Sequence, residues 1–200
     1  MELSENLSKS WEFMTKLTEN IGNLIILIIL NIIPIVNFTL WGYAARIVRE
    51  GRRLDKPPRI ENYVDMFIDG LRVLLVILLY MAIPLIIGFI GFLGIIIAVI
   101  LGFILLIIGA MGTIHMMKTN SLPKAFAISE ILNLIGRTGW GRYIGWLITT
   151  FIISIIILAI GSIHWVIAGI IGVFYIVFLA KSAHYIYPEE ENEAKNLTVN

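Results

Sequence analysis

The sequence predicts an all-α integral membrane protein: a bundle of about five transmembrane helices, with amphipathic helices lying at the membrane interface. Three observations predict it. Of the 200 residues, 58% are hydrophobic and only 14% are charged, whereas soluble domains carry about 25% charged residues. Mean hydropathy is +0.91. From Val73 to Met117 the chain runs 45 positions without an Asp, Glu, Lys or Arg. One helix of that length would measure about 68 Å at 1.5 Å per residue, and the hydrocarbon core is only about 30 Å thick. The run must therefore fold back on itself as a helical hairpin.

The elements follow in order. In residues 3–19 the apolar positions Leu3, Leu7, Trp11, Met14 and Leu17 are spaced by three or four. That is an amphipathic interfacial helix, with Trp11 suited to the headgroup level. A first span is expected over 24–46. Its centre carries Asn31, Pro34 and Asn37, three residues apart. Pro34 removes a backbone donor and clashes with the turn before it. The segment either crosses with a kink or breaks into a re-entrant hairpin, and its length allows both. Asn31, Pro34 and Asn37 form a candidate polar intramembrane element. A carbonyl without its donor and two amides can hold a solute or water, as broken helices do in transporters. The same amides can instead bond to neighbouring helices.

A second interfacial helix is expected over 60–70, with Tyr63, Phe67 and Gly70 on one face and Glu61, Asp65 and Asp69 on another. Spans follow at 71–90 and 94–116, turning at Gly88, Gly91 and Gly94. Gly94, Ala98 and Gly102 are spaced by four, which lets helix backbones approach closely. A third interfacial helix over 122–136 puts Phe126, Ile128, Ile131, Leu132 and Ile135 on its apolar side. The last spans are expected at 143–160 and 165–182, turning at Gly161–Trp165, with Ala168 and Gly172 as a further small-residue contact. Residues 1–186 then make one membrane domain. Residues 187–200 make an acidic tail expected to be disordered.

Charge sets an orientation. With five spans, thirteen of the 15 Lys and Arg fall on one side; Lys9 and Lys16 fall on the other. Basic loops stay in the cytoplasm, so the C-terminus is expected inside and the N-terminus outside a cell membrane. If residues 20–45 form a re-entrant hairpin, all fifteen share one face. Arg46, Arg49, Arg52, Arg53 and Lys56, with Arg137 and Arg142, are candidate contacts for anionic lipid.

The chain has no cysteine, which excludes disulfides, thiolate metal sites and cysteine nucleophiles. It lacks HExxH, GxSxG and GxxxxGK[ST]. No carboxylate or basic residue sits at the centre of an expected span, where proton relays need one. His115, His164 and His184 fall near both membrane faces as interfacial polar residues, too dispersed for one metal. Net charge is +1, giving no bulk attraction to nucleic acid. No enzymatic activity, cofactor or metal is expected. The expected partners are the bilayer and its anionic lipids, a second copy or another membrane protein. The alternative is a small transporter or channel-like permease built on the broken first span.

Pro34-Ile35-Val36-Asn37, Gly42-Tyr43, the arginine-rich exit after them, the stretch from Phe67 to Gly70 and Arg142-Tyr143 occur in that order. In this respect the chain resembles the family called domain of unknown function 4013. The resemblance implies a multi-pass membrane protein of archaeal or bacterial type. That family brings no activity with it.

Overall fold

The computed structural model describes residues 1–188, and among these every regular element is a helix. The helices are α1 (Leu3–Thr15), α2 (Ile21–Ile32), α3 (Phe38–Glu50), α4 (Tyr63–Gly88), α5 (Phe92–Thr119), α6 (Ile128–Thr138), α7 (Trp140–Ile163) and α8 (Trp165–Ile186). Short 3-10 turns cover Lys16–Glu19, Gly51–Arg53 and Leu122–Phe126. The acidic tail, from residue 189 onward, lies outside the described residues.

Four helices, α4, α5, α7 and α8, are long and apolar enough to cross a membrane. They form two hairpins. The first turns at Gly91, whose φ of +97° needs a glycine. The second turns at His164, the one residue between α7 and α8. A fifth candidate is the pair of segments Leu3–Glu19 and Ile21–Ile32, bent by 104°. The segment expected to be interfacial at 60–70 is continuous with the span after it. Gly70 does not break α4, because the backbone of α3 lies against it.

The span expected over 24–46 is two helices. Residues 33–37 form a turn between α2 and α3, with Ile35 at φ +70°, a conformation a β-branched residue rarely adopts. Pro34 cannot donate to the carbonyl of Leu30, so the helix stops. Asn37, Phe38 and Thr39 donate their N–H groups to Ile33, Ile35 and Val36 and satisfy the turn locally. The two helices return the chain to where it entered. Asn23 Nδ2, at the start of α2, and Tyr43 Oη, on α3, both donate to the carbonyl of Pro58 (3.2 and 2.7 Å), and Ile60 N donates to Asn23 Oδ1. At the other end, Asn31 Nδ2 donates to Gly169 O at 2.8 Å, near the start of α8. This is the hairpin geometry.

The N-terminus consequently lies at the same end of the bundle as the C-terminal end of α8, where a single crossing would have separated them. Asn6 Nδ2 donates to Ser182 O, Ser182 Oγ donates to Asn6 Oδ1, and Arg142 donates to Met1 O. The buried face of α1 also differs from the apolar stripe. Asn6, Ser10, Phe13 and Met14 are buried, while Trp11 is 62% exposed. The reason is a polar lock across the contact: Trp146 Nε1 donates to Ser182 Oγ and Ser10 Oγ to Asn6 O. A satisfied polar network can sit in a core, and apolar periodicity does not reveal it. Residues 122–136 also divide, into the 3-10 turn and α6. Ala125 O is drawn inward to accept from Tyr80 Oη at 2.7 Å.

Candidate functional site

Helix α3 packs on α4, α5 and α8 and bridges the two hairpins. It has 13 residues, against 22 to 28 in the crossing helices. It is too short to fill the space between them. What remains is an apolar cavity of about 610 Å³, open on one side, lined from five helices by residues such as Trp41, Val73, Ala110, Thr113, Trp146 and Ala183. Ligand sites are typically cavities of about 300–1,000 Å³ with mostly apolar walls. Of the four polar side chains in the wall, three are turned to the protein: Tyr80 Oη to Ala125 O, Thr113 Oγ1 to Gly109 O, and Trp146 Nε1 to Ser182 Oγ. Trp41 is the fourth, and the rest of the wall is hydrocarbon.

A charged cluster stands at one edge. Arg49 donates through Nε to Met117 O (3.2 Å) and through Nη2 to Asp69 Oδ2 (2.8 Å) and Asn120 Oδ1 (2.9 Å). Arg72 donates through Nη1 to Asp69 Oδ1 (2.9 Å) and Asn120 Oδ1 (3.1 Å). Arg49 thereby satisfies a carbonyl in the last turn of α5, where no backbone donor reaches. Met117 lines both this cleft and the cavity, and Arg72 adjoins the cavity residue Val73. Two guanidinium groups face one carboxylate, leaving the cluster cationic.

A second cluster ties the end of the chain to the bundle. His115 is 6% exposed. Its Nδ1 lies 2.9 Å from Tyr187 Oη and its Nε2 3.0 Å from Glu130 Oε2. A carboxylate only accepts, so Nε2 carries a proton toward Glu130. The Lys124 ammonium, followed by His115, holds the exposed Glu130 carboxyl below the usual carboxylate range. Nearby, Lys118 Nζ hydrogen-bonds His184 Nδ1. His115 is buried and His184 half-buried, each near the C-terminal end of its helix. Among the described residues, no three of His, Cys, Asp and Glu converge on a metal-sized site.

The residues singled out in the sequence are dispersed. Asn31 and Asn37 do not share a helix face: Asn31 is on α2, and Asn37 precedes α3 with its buried Oδ1 unpartnered among the described residues. Pro34 lies between them, exposed in the turn. Of the basic residues expected to contact lipid, Arg49 alone lines the cleft beside the cavity, together with Arg72. Arg46 pairs with Glu50 and Glu61, and Lys56 with Glu19. Arg52, Arg53 and Arg137 are exposed. Arg142 binds Met1 O while its buried Nε has no acceptor among the described residues. Along α5, Gly94 abuts Ile87 O, Ala98 packs near Gly88 and Gly102 near Pro84, so this stripe faces α4. Ala168 faces Gly161 on α7, and Gly172 faces Asn31. Asp69 pairs with Arg72, as their spacing of three on one helix predicts. Asn120 and the cavity wall carry no such signal in the sequence.

A family model described as protein of unknown function (DUF4013) matches residues 26–166. No curated protein and no solved structure matches the chain. The match covers more than half of the chain, and the protein belongs to this family.

Proposed function

We propose that this member of the family is a multi-pass protein of a prokaryotic cell membrane that holds lipid hydrocarbon inside its bundle and acts as a membrane organising or accessory protein, without catalysing a reaction. The observation that carries this reading is the apolar cavity between the two hairpins, about 610 Å³ in volume and within the range of ligand sites. Its wall disfavours a permease for polar solutes, because apart from Trp41 its polar groups, the hydroxyls of Tyr80 and Thr113 and the indole N–H of Trp146, are already bonded to protein. Filling the cavity tests the reading. Ala110→Trp is expected to lower the lipid that co-purifies with the protein severalfold, while thermal stability holds or rises as the void is filled. Unchanged lipid retention, measured by native mass spectrometry, would overturn it.

The orientation belongs to the same proposal. With α2 and α3 as a hairpin, the fourteen Lys and Arg among the described residues gather at one end of the four crossing helices. That end faces the cytoplasm by the basic-loop rule, and both termini are cytoplasmic. This replaces the expected external N-terminus. Because the chain has no cysteine, single cysteines report directly. Cysteines at Glu5 and Lys56 are expected to react with an impermeant thiol reagent only after the membrane is opened. External labelling at Glu5 with protection at Lys56 would restore a crossing between them.

A further inference from the structure

We infer that the cavity and the Arg49–Asp69–Arg72–Asn120 cluster form one site for a single phospholipid of net negative headgroup charge. Its phosphate is held at the two guanidinium groups, and its hydrocarbon lies in the cavity. This rests on the lipid reading above and adds the chemistry of the headgroup. Three observations support it. First, cluster and cavity are neighbours: Met117 lines both. Second, the cluster is cationic, with two arginines against one aspartate. Third, the donors are already positioned. Arg49 is fixed by Met117 O, Asp69 and Asn120. Arg49 Nη1 and Arg72 Nη2 make no hydrogen bond among the described residues. Guanidinium N–H groups match phosphate oxygens in charge and geometry, and groups fixed before binding lose little freedom on binding.

The charge pattern selects the headgroup. A zwitterionic choline lipid brings a quaternary ammonium that two arginines repel, whereas a glycerol headgroup leaves the phosphate charge uncompensated. The test uses the full chain in discs of equimolar phosphatidylglycerol and phosphatidylcholine, with the retained lipid identified by native mass spectrometry. The parent is expected to retain phosphatidylglycerol about fivefold over phosphatidylcholine. Arg72→Gln is expected to abolish that preference. Asp69→Asn, which removes the competing carboxylate, is expected to raise it. No preference in the parent, or a preference that survives in Arg72→Gln and does not rise in Asp69→Asn, would overturn the headgroup assignment while leaving the cavity reading intact. A parent that retains neither lipid would sink both. Displacement of phosphatidylglycerol by millimolar inorganic phosphate would mark a site for free phosphate and overturn the lipid assignment.

Discussion

Gly42→Ala is expected to leave the protein unfolded or melting far below the parent. A Cβ at Gly42 would lie 1.6 Å from Met66 O and 2.4 Å from its carbonyl carbon; one at Gly70 would lie 1.8 Å from Phe38 O. The contact is reciprocal, backbone of α3 against backbone of α4. Backbone atoms cannot swing aside as a flexible side chain can, so one methyl forces the helices apart. Overpacking costs about 1–3 kcal/mol where side chains can adjust, and here they cannot, so a loss of about 3 kcal/mol or more is expected. Small residues let helices approach in this way, and close packing is a main source of helix association within a bilayer. Gly102→Ala is the control. Its nearest neighbour, Pro84 Cβ, lies 3.8 Å from the added atom, ordinary contact, and a melting point close to the parent is expected. Tryptophan fluorescence during heating in detergent reads both. If Gly42→Ala melts like the parent, α3 and α4 are further apart than described.

The same pair of glycines shows where the sequence is legible. The four crossing helices are readable because their lipid-facing sides leave long runs without charge, and glycine or histidine marks their turns. The stripe Gly94–Ala98–Gly102 is readable by its spacing. Gly42 and Gly70 each stand alone in an amphipathic stretch, 28 positions apart, and only the fold brings them together. Residues 24–46 are long enough for one crossing or for two short helices. Asn23 and Tyr43 sharing the carbonyl of Pro58 decides between them, and that is a tertiary fact. The cavity has no signature, because a void is defined by what five separate helices fail to fill. Half of the charged cluster was visible as the basic run that holds Arg49. Its partners Asp69 and Asn120 lie 20 and 71 positions away.

Lys181→Met is expected to be the most damaging removal of a charge. Lys181 is 3% exposed on α8. Its Nζ donates to Gly51 O at 2.6 Å and Leu54 O at 2.8 Å and lies over the rings of Phe13 (4.4 Å) and Tyr185 (5.1 Å). Gly51 follows the last residue of α3, where carbonyls without donors concentrate the negative end of the helix dipole. Two effects oppose each other. Methionine removes the cost of burying an ammonium, several kcal/mol for an isolated ion. It also removes two charge-assisted hydrogen bonds at about 1.5–3 kcal/mol each, with a further penalty of about 1–3 kcal/mol for Leu54 O, left unmet, while Gly51 O still accepts from Leu54 N. The cation–π contacts add about 1–2 kcal/mol when desolvated. The losses exceed the gain, and a net destabilisation of about 3 kcal/mol is expected, roughly 6–12 °C in melting temperature. Lys9→Met removes an exposed pair with Glu5, with both side chains about half exposed, and no measurable shift is expected. The clamp also bears on the lipid site. Lys181 holds the end of α3, and Arg49 sits in the last turn of that helix, so loosening the end frees Arg49 from Met117 O. At temperatures where Lys181→Met is still folded, its preference for phosphatidylglycerol should fall as well. A variant that melts low yet keeps the full preference would mean that α5 and Asp69 alone hold Arg49 in place.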